Sequence, residues 1–169
     1  KRLLSVIEGE RKAGRPVRII ILKARQMGFS TLTEGVLFHS TVTSENTTSL
    51  VIAHKEEAAA GLFAMNKLFY DELPEKIRPM RNTASTKEMV FENPDKGSAE
   101  KGLRSRIRSA TAGGRGVGRS ETITNIHASE VAFWEGDKKA ILNGLMQAVP
   151  DSPGTLVILE STANGCDYF

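Results

Sequence analysis

The run Val17-Arg18-Ile19-Ile20-Ile21-Leu22 is apolar except for Arg18 and rich in β-branched residues. Such a run marks a strand of a parallel sheet, where both faces are covered and alternation is lost. It passes directly into Lys23-Ala24-Arg25-Gln26-Met27-Gly28-Phe29-Ser30-Thr31, and from there into a segment with helical spacing. A strand that breaks into a glycine-bearing loop and then a helix fits an α/β layered fold and few others.

The loop carries a displaced form of a known spacing. In G-x-x-x-x-G-K-[ST] the backbone cradles phosphates, the lysine reaches the β/γ-phosphates and the hydroxyl meets Mg²⁺. Here Gly28 and Ser30 hold the second glycine and hydroxyl places, Phe29 stands where the lysine belongs, and Lys23 stands where the first glycine belongs. A cation at that first place can reach the same phosphates from the opposite side of the loop. Backbone N–H groups at a helix N-terminus favour anions, and Gly28 lets the chain approach closely. Lys23 and Arg25 supply charge, with Thr31 as a secondary hydroxyl. The same nine residues also suit an ordinary strand-to-helix turn with Ser30 as N-cap and solvated cations.

Beyond this point strand-like and helix-like stretches alternate. Helical spacing is expected over Lys1–Lys12 (Leu3, Leu4 and Ile7 inward), Ser30–Thr41 (Leu32, Val36, Leu37), Lys55–Leu73 (Leu62, Phe63, Met65, Leu68, Phe69) and within Trp134–Val149 (Ile141, Leu142, Leu145, Met146). Strands are expected at Leu50–His54, Arg104–Ala110, Glu121–His127 and Leu156–Leu159, with an edge hairpin over Arg81–Glu92. This predicts a mostly parallel sheet sandwiched by helices, with ligands at the carboxyl ends of its strands.

Two more candidate motifs fall at such ends. Ser129-Glu130 closes one strand. A nucleotide hydrolase often ends a strand in an acidic pair, one acid on Mg²⁺ and the next polarising water; here Ser129 replaces the first and Glu130 keeps the second. A serine hydroxyl can still bond a metal-bound water, so Ser30 directly, and Ser129 and Glu130 through water, form the candidate metal side. Glu130 as a helix N-terminal charge is the plainer alternative. After Leu156–Leu159 comes Glu160-Ser161-Thr162-Ala163-Asn164-Gly165, where Ser161, Thr162 and Asn164 can sense a γ-phosphate or form a plain polar turn. The loop Thr111–Ser120 is glycine-rich with Arg115 and Arg119; it offers an arginine finger, a grip on a DNA backbone, or a solvated segment. Arg119, eleven residues before Glu130 and followed by Ser120, is preferred as the finger. His39, His54 and His127 lack metal-ligand spacing and read as structural, and Phe133 and Trp134 read as core or near-core.

Composition narrows the class. The chain has 169 residues, 40% hydrophobic, with a formal net charge of +3, a mildly basic balance compatible with nucleic acid. No stretch approaches the ~18 apolar residues of a membrane span, and no signal peptide is visible. One cysteine, Cys166, cannot form an internal disulfide and suits a reducing compartment. The first residue is not methionine and the last, Phe169, follows a strand closely; residues 1–169 are expected to be a single domain of a longer chain.

Taken together, Lys23–Thr31, then Ile126-His127-Ala128-Ser129-Glu130-Val131-Ala132-Phe133-Trp134, then Leu159–Gly165 resemble the ATPase domain of the large terminase subunit of tailed bacteriophages, from about Arg18 to Gly165. The resemblance implies a P-loop NTPase of the class with an additional strand and a catalytic glutamate. In that class the Leu156–Leu159 strand inserts between the phosphate-loop strand and the Glu130 strand, which brings Thr162 near the γ-phosphate. It further implies ATP and Mg²⁺ as cofactors, and ATP-driven movement of double-stranded DNA into a procapsid. The implied partners are portal protein, small terminase subunit and an oligomeric ring of like subunits, in the host cytoplasm and without a membrane. The family's C-terminal nuclease domain would lie outside these residues. A helicase-like DNA-dependent ATPase, or a nucleotide- or DNA-binding module that does not hydrolyse, are the alternatives.

Overall fold

The computed structural model describes residues 2–114 and 121–165. Its elements are α1 (Arg2–Lys12), β1 (Val17–Leu22), α2 (Phe29–Val42), β2 (Thr48–Ala53), α3 (Glu56–Asp71), β3 (Thr83–Ala84), β4 (Glu88–Phe91), β5 (Ser105–Thr111), β6 (Asn125–Ser129), α4 (Lys138–Gln147) and β7 (Leu156–Ser161), with short 3-10 turns at Glu75–Ile77 and Val131–Phe133. The strands form one sheet in the order β1-β7-β6-β2-β5-β4-β3. From β1 to β5 every pairing is parallel; β4 and β3 add an antiparallel edge hairpin. The last strand in sequence, β7, thus sits between β1 and β6, the strand that leads to Glu130, as the family resemblance implies.

Period-two alternation in the central strands divides the core into two layers. Val51 and Ala53 of β2, with Leu156 and Ile158 of β7, pack against α1, α2 and α3 through Leu3, Ile7, Leu37, Phe38, Leu62 and Phe63. Leu50 and Ile52, with Val157, Ile126 and Ala128, face the other way onto Trp134 and onto Leu142 and Leu145 of α4. Most inward residues expected from spacing are inward, but Leu4, Leu68 and Met146 are exposed; each lies at the margin of its helix's apolar stripe.

Three expectations shift. β1 is parallel but lies at the edge of the sheet among the described residues, so Ile20 and Leu22 are exposed on one face and only Val17 is fully buried in it. The strand expected over Glu121–His127 forms at Asn125–Ser129 instead. Glu121 is held outside it by Arg108, Ile123 is buried as an anchor before the strand, and the polar Asn125 is admitted because it donates to Ser49 Oγ at 2.9 Å. The helix within Trp134–Val149 begins only at Lys138: Gly136 takes a positive φ of 78°, and Asp137 caps α4 by accepting from the Ala140 N–H.

Candidate functional site

The carboxyl ends of β1, β6 and β7 converge, and the three motifs converge with them. The parallel pairing of β1 with β7 sets Leu22 beside Ser161, and the Lys23 N–H continues the ladder to the Ser161 carbonyl at 3.0 Å. The parallel pairing of β6 with β7 sets Ser129 beside Glu160. Register alone therefore brings the start of the loop, Ser129-Glu130 and Glu160–Thr162 to one level of the sheet.

The loop turns twice through left-handed backbone, at Gln26 (φ 59°) and Gly28 (φ 72°). Gly28 is the residue immediately before α2 and has no side chain to cap it, so the N-terminus of the helix is left to backbone N–H groups. Phe29, in the usual lysine place, packs partly buried against the core layer of α1–α3, which is why an aromatic stands there. Lys23 takes the other direction. Its Nζ lies 3.2 Å from Glu130 Oε1, with side chains 7% and 25% exposed. Arg25, Gln26, His54, Phe133 and Thr162 join these two around a cleft of about 280 Å³, at the lower end of the range for ligand pockets. Ala24 and Met27 are exposed beside it. Thr31 is exposed on a separate, larger groove between α1 and α2, away from Lys23.

Glu130 is itself left-handed, with φ 52° and ψ 46°, a conformation that costs a non-glycine residue about 1–3 kcal/mol. It is held there by its partners. Its Oε2 accepts from the Thr162 N–H and from the Thr162 hydroxyl, both at 3.0 Å, while Oε1 takes Lys23. Burial pushes the carboxyl up, but the Thr162 backbone N–H and hydroxyl and the Lys23 ammonium outweigh it and hold Glu130 below the usual carboxylate range. Ser161 and Asn164 serve the turn after Glu130: the Ser161 hydroxyl accepts from the Ala132 N–H at 3.1 Å, and the Asn164 amide donates to the Ala132 carbonyl at 3.0 Å. Trp134 locks the same turn from the core side by donating to the Ser129 carbonyl at 3.0 Å.

Behind this cleft runs a sealed polar ladder that the sequence reading missed. Asn66 of α3 donates to Glu34 of α2, Glu34 meets Nδ1 of His127 on β6, and His127 Nε2 lies 3.1 Å from Glu160 Oε1 on β7. That last contact is out of line for a hydrogen bond and acts as an ionic one. All four side chains are fully buried. Burial alone would lower the His127 pKa, but the Glu34 and Glu160 carboxylates raise it to about 9, so the imidazole is positive at neutral pH. The Glu160 oxygen that faces His127 also accepts from the hydroxyls of Ser30 and, at 3.2 Å, Ser129. Burial raises the Glu160 carboxyl, and the close contact and charge of His127, the Ser30 hydroxyl and the Lys23 charge bring it below the ordinary range. The available signal was Glu34, the lone carboxylate among the buried residues of α2, which are otherwise Thr33, Leu37, Phe38 and Thr41. His54, taken as structural, lines the cleft, with its Nδ1 buried and without a partner among the described residues.

The residues fit Mg²⁺ shared with a ligand. Among the described residues no group of three or more His, Cys, Asp or Glu is placed to hold a metal by itself. Mg²⁺, however, keeps several waters and uses one or two carboxylates plus substrate phosphates, and the Ser30, Ser129 and Glu160 oxygens lie together at the foot of the loop. Arg115 and Arg119 lie outside the described residues. No helix among the described residues is long and apolar enough to cross a membrane.

No protein-family model matches the sequence, and no curated protein is similar to it. Solved structures are. The large terminase of bacteriophage HK97 superposes with a TM-score of 0.68 at 20% identity, over 94% of this chain and 31% of that one. An ATPase-domain mutant of the large terminase of Thermus phage P74-26 superposes with a TM-score of 0.68 at 17% identity, over 96% of this chain and 66% of that one. The chain thus spans about a third of the HK97 protein and about two thirds of the P74-26 one. Its α/β fold, a mostly parallel seven-stranded sheet between helices, is the fold of the ATPase domain of phage large terminases.

Proposed function

We propose that this chain is an ATP-hydrolysing motor domain that drives double-stranded viral DNA into a procapsid. One observation carries the reading: Lys23, Glu130 and Thr162, from three sequence motifs, meet around one cleft at the carboxyl ends of adjacent strands. The similarity in fold to large terminases supports the direction of the reading.

The residues divide the work as follows. Backbone N–H groups of Ala24–Gly28 and the start of α2 receive the phosphates, with Lys23 and Arg25 as the neutralising cations. Lys23 is held by Glu130. An arriving γ-phosphate competes for that ammonium, and its transfer frees Glu130 Oε1 to accept a proton from water while Thr162 keeps Oε2 fixed. Thr162 therefore reads the state of the site through Glu130, and Ser161 and Asn164 pass it to the 130–132 turn. Ser30 would hold Mg²⁺, with Ser129 and Glu130 contributing through water. Held there, the ion would supply positive charge to offset the negative charge that develops on the phosphates. Arg119, or else Arg115, would act as the arginine finger, in its own subunit or across a ring. Portal protein, a small terminase subunit and double-stranded DNA are the proposed partners, and a nuclease domain the proposed continuation of the chain.

The test is steady-state ATP hydrolysis with and without double-stranded DNA, by the wild-type protein and by Glu130→Gln. DNA-stimulated turnover that the variant loses while still binding nucleotide is the expected result. Failure of the wild type to bind or hydrolyse ATP would overturn the reading.

A further inference from the structure

The strand that ends in Glu130 lacks the acidic residue that such a site places next to its metal; Ser129 stands there. Resting on the ATPase reading above, we propose that Glu160, on the neighbouring strand β7, is the metal-side carboxylate of this site.

Geometry allows the exchange. Ser129 and Glu160 are direct partners in a parallel pairing, and partners in adjacent strands project from the same face of a sheet. A carboxylate moved from one to the other stays at the same level and on the same face. The longer glutamate then reaches the hydroxyl that the metal also needs: Ser30, in the first turn of α2, donates to Glu160 Oε1, as does Ser129 at 3.2 Å. A Ser/Thr of the phosphate loop together with an acidic residue on a nearby strand is the pair that holds Mg²⁺ in P-loop enzymes.

The hydrogen bonds of Glu160 are also incomplete in an informative way. Ser30, Ser129 and His127 all gather at Oε1. Oε2 is buried and has no donor among the described residues. A buried carboxylate oxygen without a donor is costly and calls for an explanation. Water bound to a hard cation is a strong O–H donor, and its arrival beside Ser30 would satisfy that oxygen. Glu130, the other carboxylate, has Oε2 tied to Thr162, and its Oε1, once Lys23 turns to the phosphate, is committed to the water it deprotonates. Ser129 carries no charge, and a hard divalent ion prefers a carboxylate. From behind, the His127–Glu34–Asn66 ladder fixes the orientation of Glu160, as outer-shell partners do for metal ligands.

The experiment uses Mn²⁺ as a paramagnetic, anomalously scattering probe with ADP. In crystals of the wild-type protein with both, the manganese anomalous peak is expected within about 4.5 Å of the Glu160 carboxylate, the span of one bridging water. In solution, electron paramagnetic resonance titration of Mn²⁺ against protein saturated with ADP should show Glu160→Gln weakening the metal roughly 10–100-fold. The double variant Ser129→Asp/Glu160→Gln, which returns the carboxylate to β6, should recover most of the loss. Unchanged Mn²⁺ affinity in a folded Glu160→Gln, or a peak beyond one water's reach of Glu160, overturns the proposal. The crystal arm decides even if Glu160→Gln does not fold. A wild-type protein that binds no nucleotide removes the ATPase reading and this inference together; nucleotide binding with the metal elsewhere removes this inference alone.

Discussion

One ion pair and one buried ionic triad lie near the same end of the sheet, and they are built in opposite ways. Lys23 and Glu130 meet at the mouth of the cleft, with Lys23 7% and Glu130 25% exposed. His127 and its two glutamates are 0% exposed. The first pair joins two long side chains through one contact on each, so either can leave for a better partner that arrives from solvent. The second has no exit: each member is enclosed, and separating them strands a charge in a medium that cannot solvate it. Equal chemistry thus gives an exchangeable site in one place and a fixed scaffold in the other, and the difference is burial.

The largest effect should come from breaking the sealed triad. Glu34→Ala leaves His127 and Asn66 without their shared partner, and loss of one member of a buried ion pair costs about 3–5 kcal/mol. Urea denaturation monitored by circular dichroism should show that loss in the absence of any nucleotide. A change below about 1 kcal/mol would mean that the ladder contributes no more than a surface pair and that the contrast drawn here is wrong.

At the cleft the expected damage is to rate. Glu130→Gln keeps the size and most of the hydrogen-bonding capacity of the side chain but removes its basicity. ATP turnover should fall about 10²–10⁴-fold, with nucleotide binding kept. Lys23→Ala sharpens the contrast further. Removing this partly accessible cation should weaken ATP binding, read by fluorescence titration, by roughly 1.5–3 kcal/mol, the worth of a hydrogen bond to a charged group. Wild-type ATP affinity in this variant would transfer the phosphate role to Arg25.

Much of the fold was legible because it rests on local periodicity. The β-branched run of β1, the apolar spacing of α2 and α3 and the buried strand β7 each announce themselves within a few residues. The three candidate motifs could be placed at strand ends for the same reason: each is a short segment directly after a strand-like run. What escaped was whatever depends on a distant partner. The expected strand at Glu121–His127 overlaps β6 only over Asn125–His127, because where the strand starts is set by distant partners: Arg108 holds Glu121 outside it and Ser49 receives Asn125 within it. Glu160 read as the first residue of a polar turn, since only the pairing of β6 with β7 puts it beside Ser129. The edge position of β1 was equally invisible, because an apolar run carries no record of how many neighbours it has.

The smallest expected effect concerns the joint between the two regions. Thr162 gives Glu130 Oε2 two bonds at 3.0 Å, one from its backbone N–H and one from its hydroxyl. Thr162→Val keeps the shape and the backbone donor and deletes only the hydroxyl. A single hydrogen bond is worth about 0.5–1.5 kcal/mol net, or 1.5–3 when one partner is charged. Since the N–H still holds the carboxylate, the lower range applies, and turnover should fall only about 2–12-fold by the relation of barrier to rate. Stability should change by less than in Glu34→Ala, because Glu130 retains Lys23 and some access to water. The informative measurement is the ratio of the two losses. If Thr162 only braces the left-handed Glu130, stability and turnover should fall together. If it transmits the state of the cleft, turnover should fall while the denaturation midpoint holds. A loss as large as that of Glu130→Gln would make the hydroxyl part of the chemistry, and the boundary between exchangeable site and fixed scaffold would have to be redrawn around it.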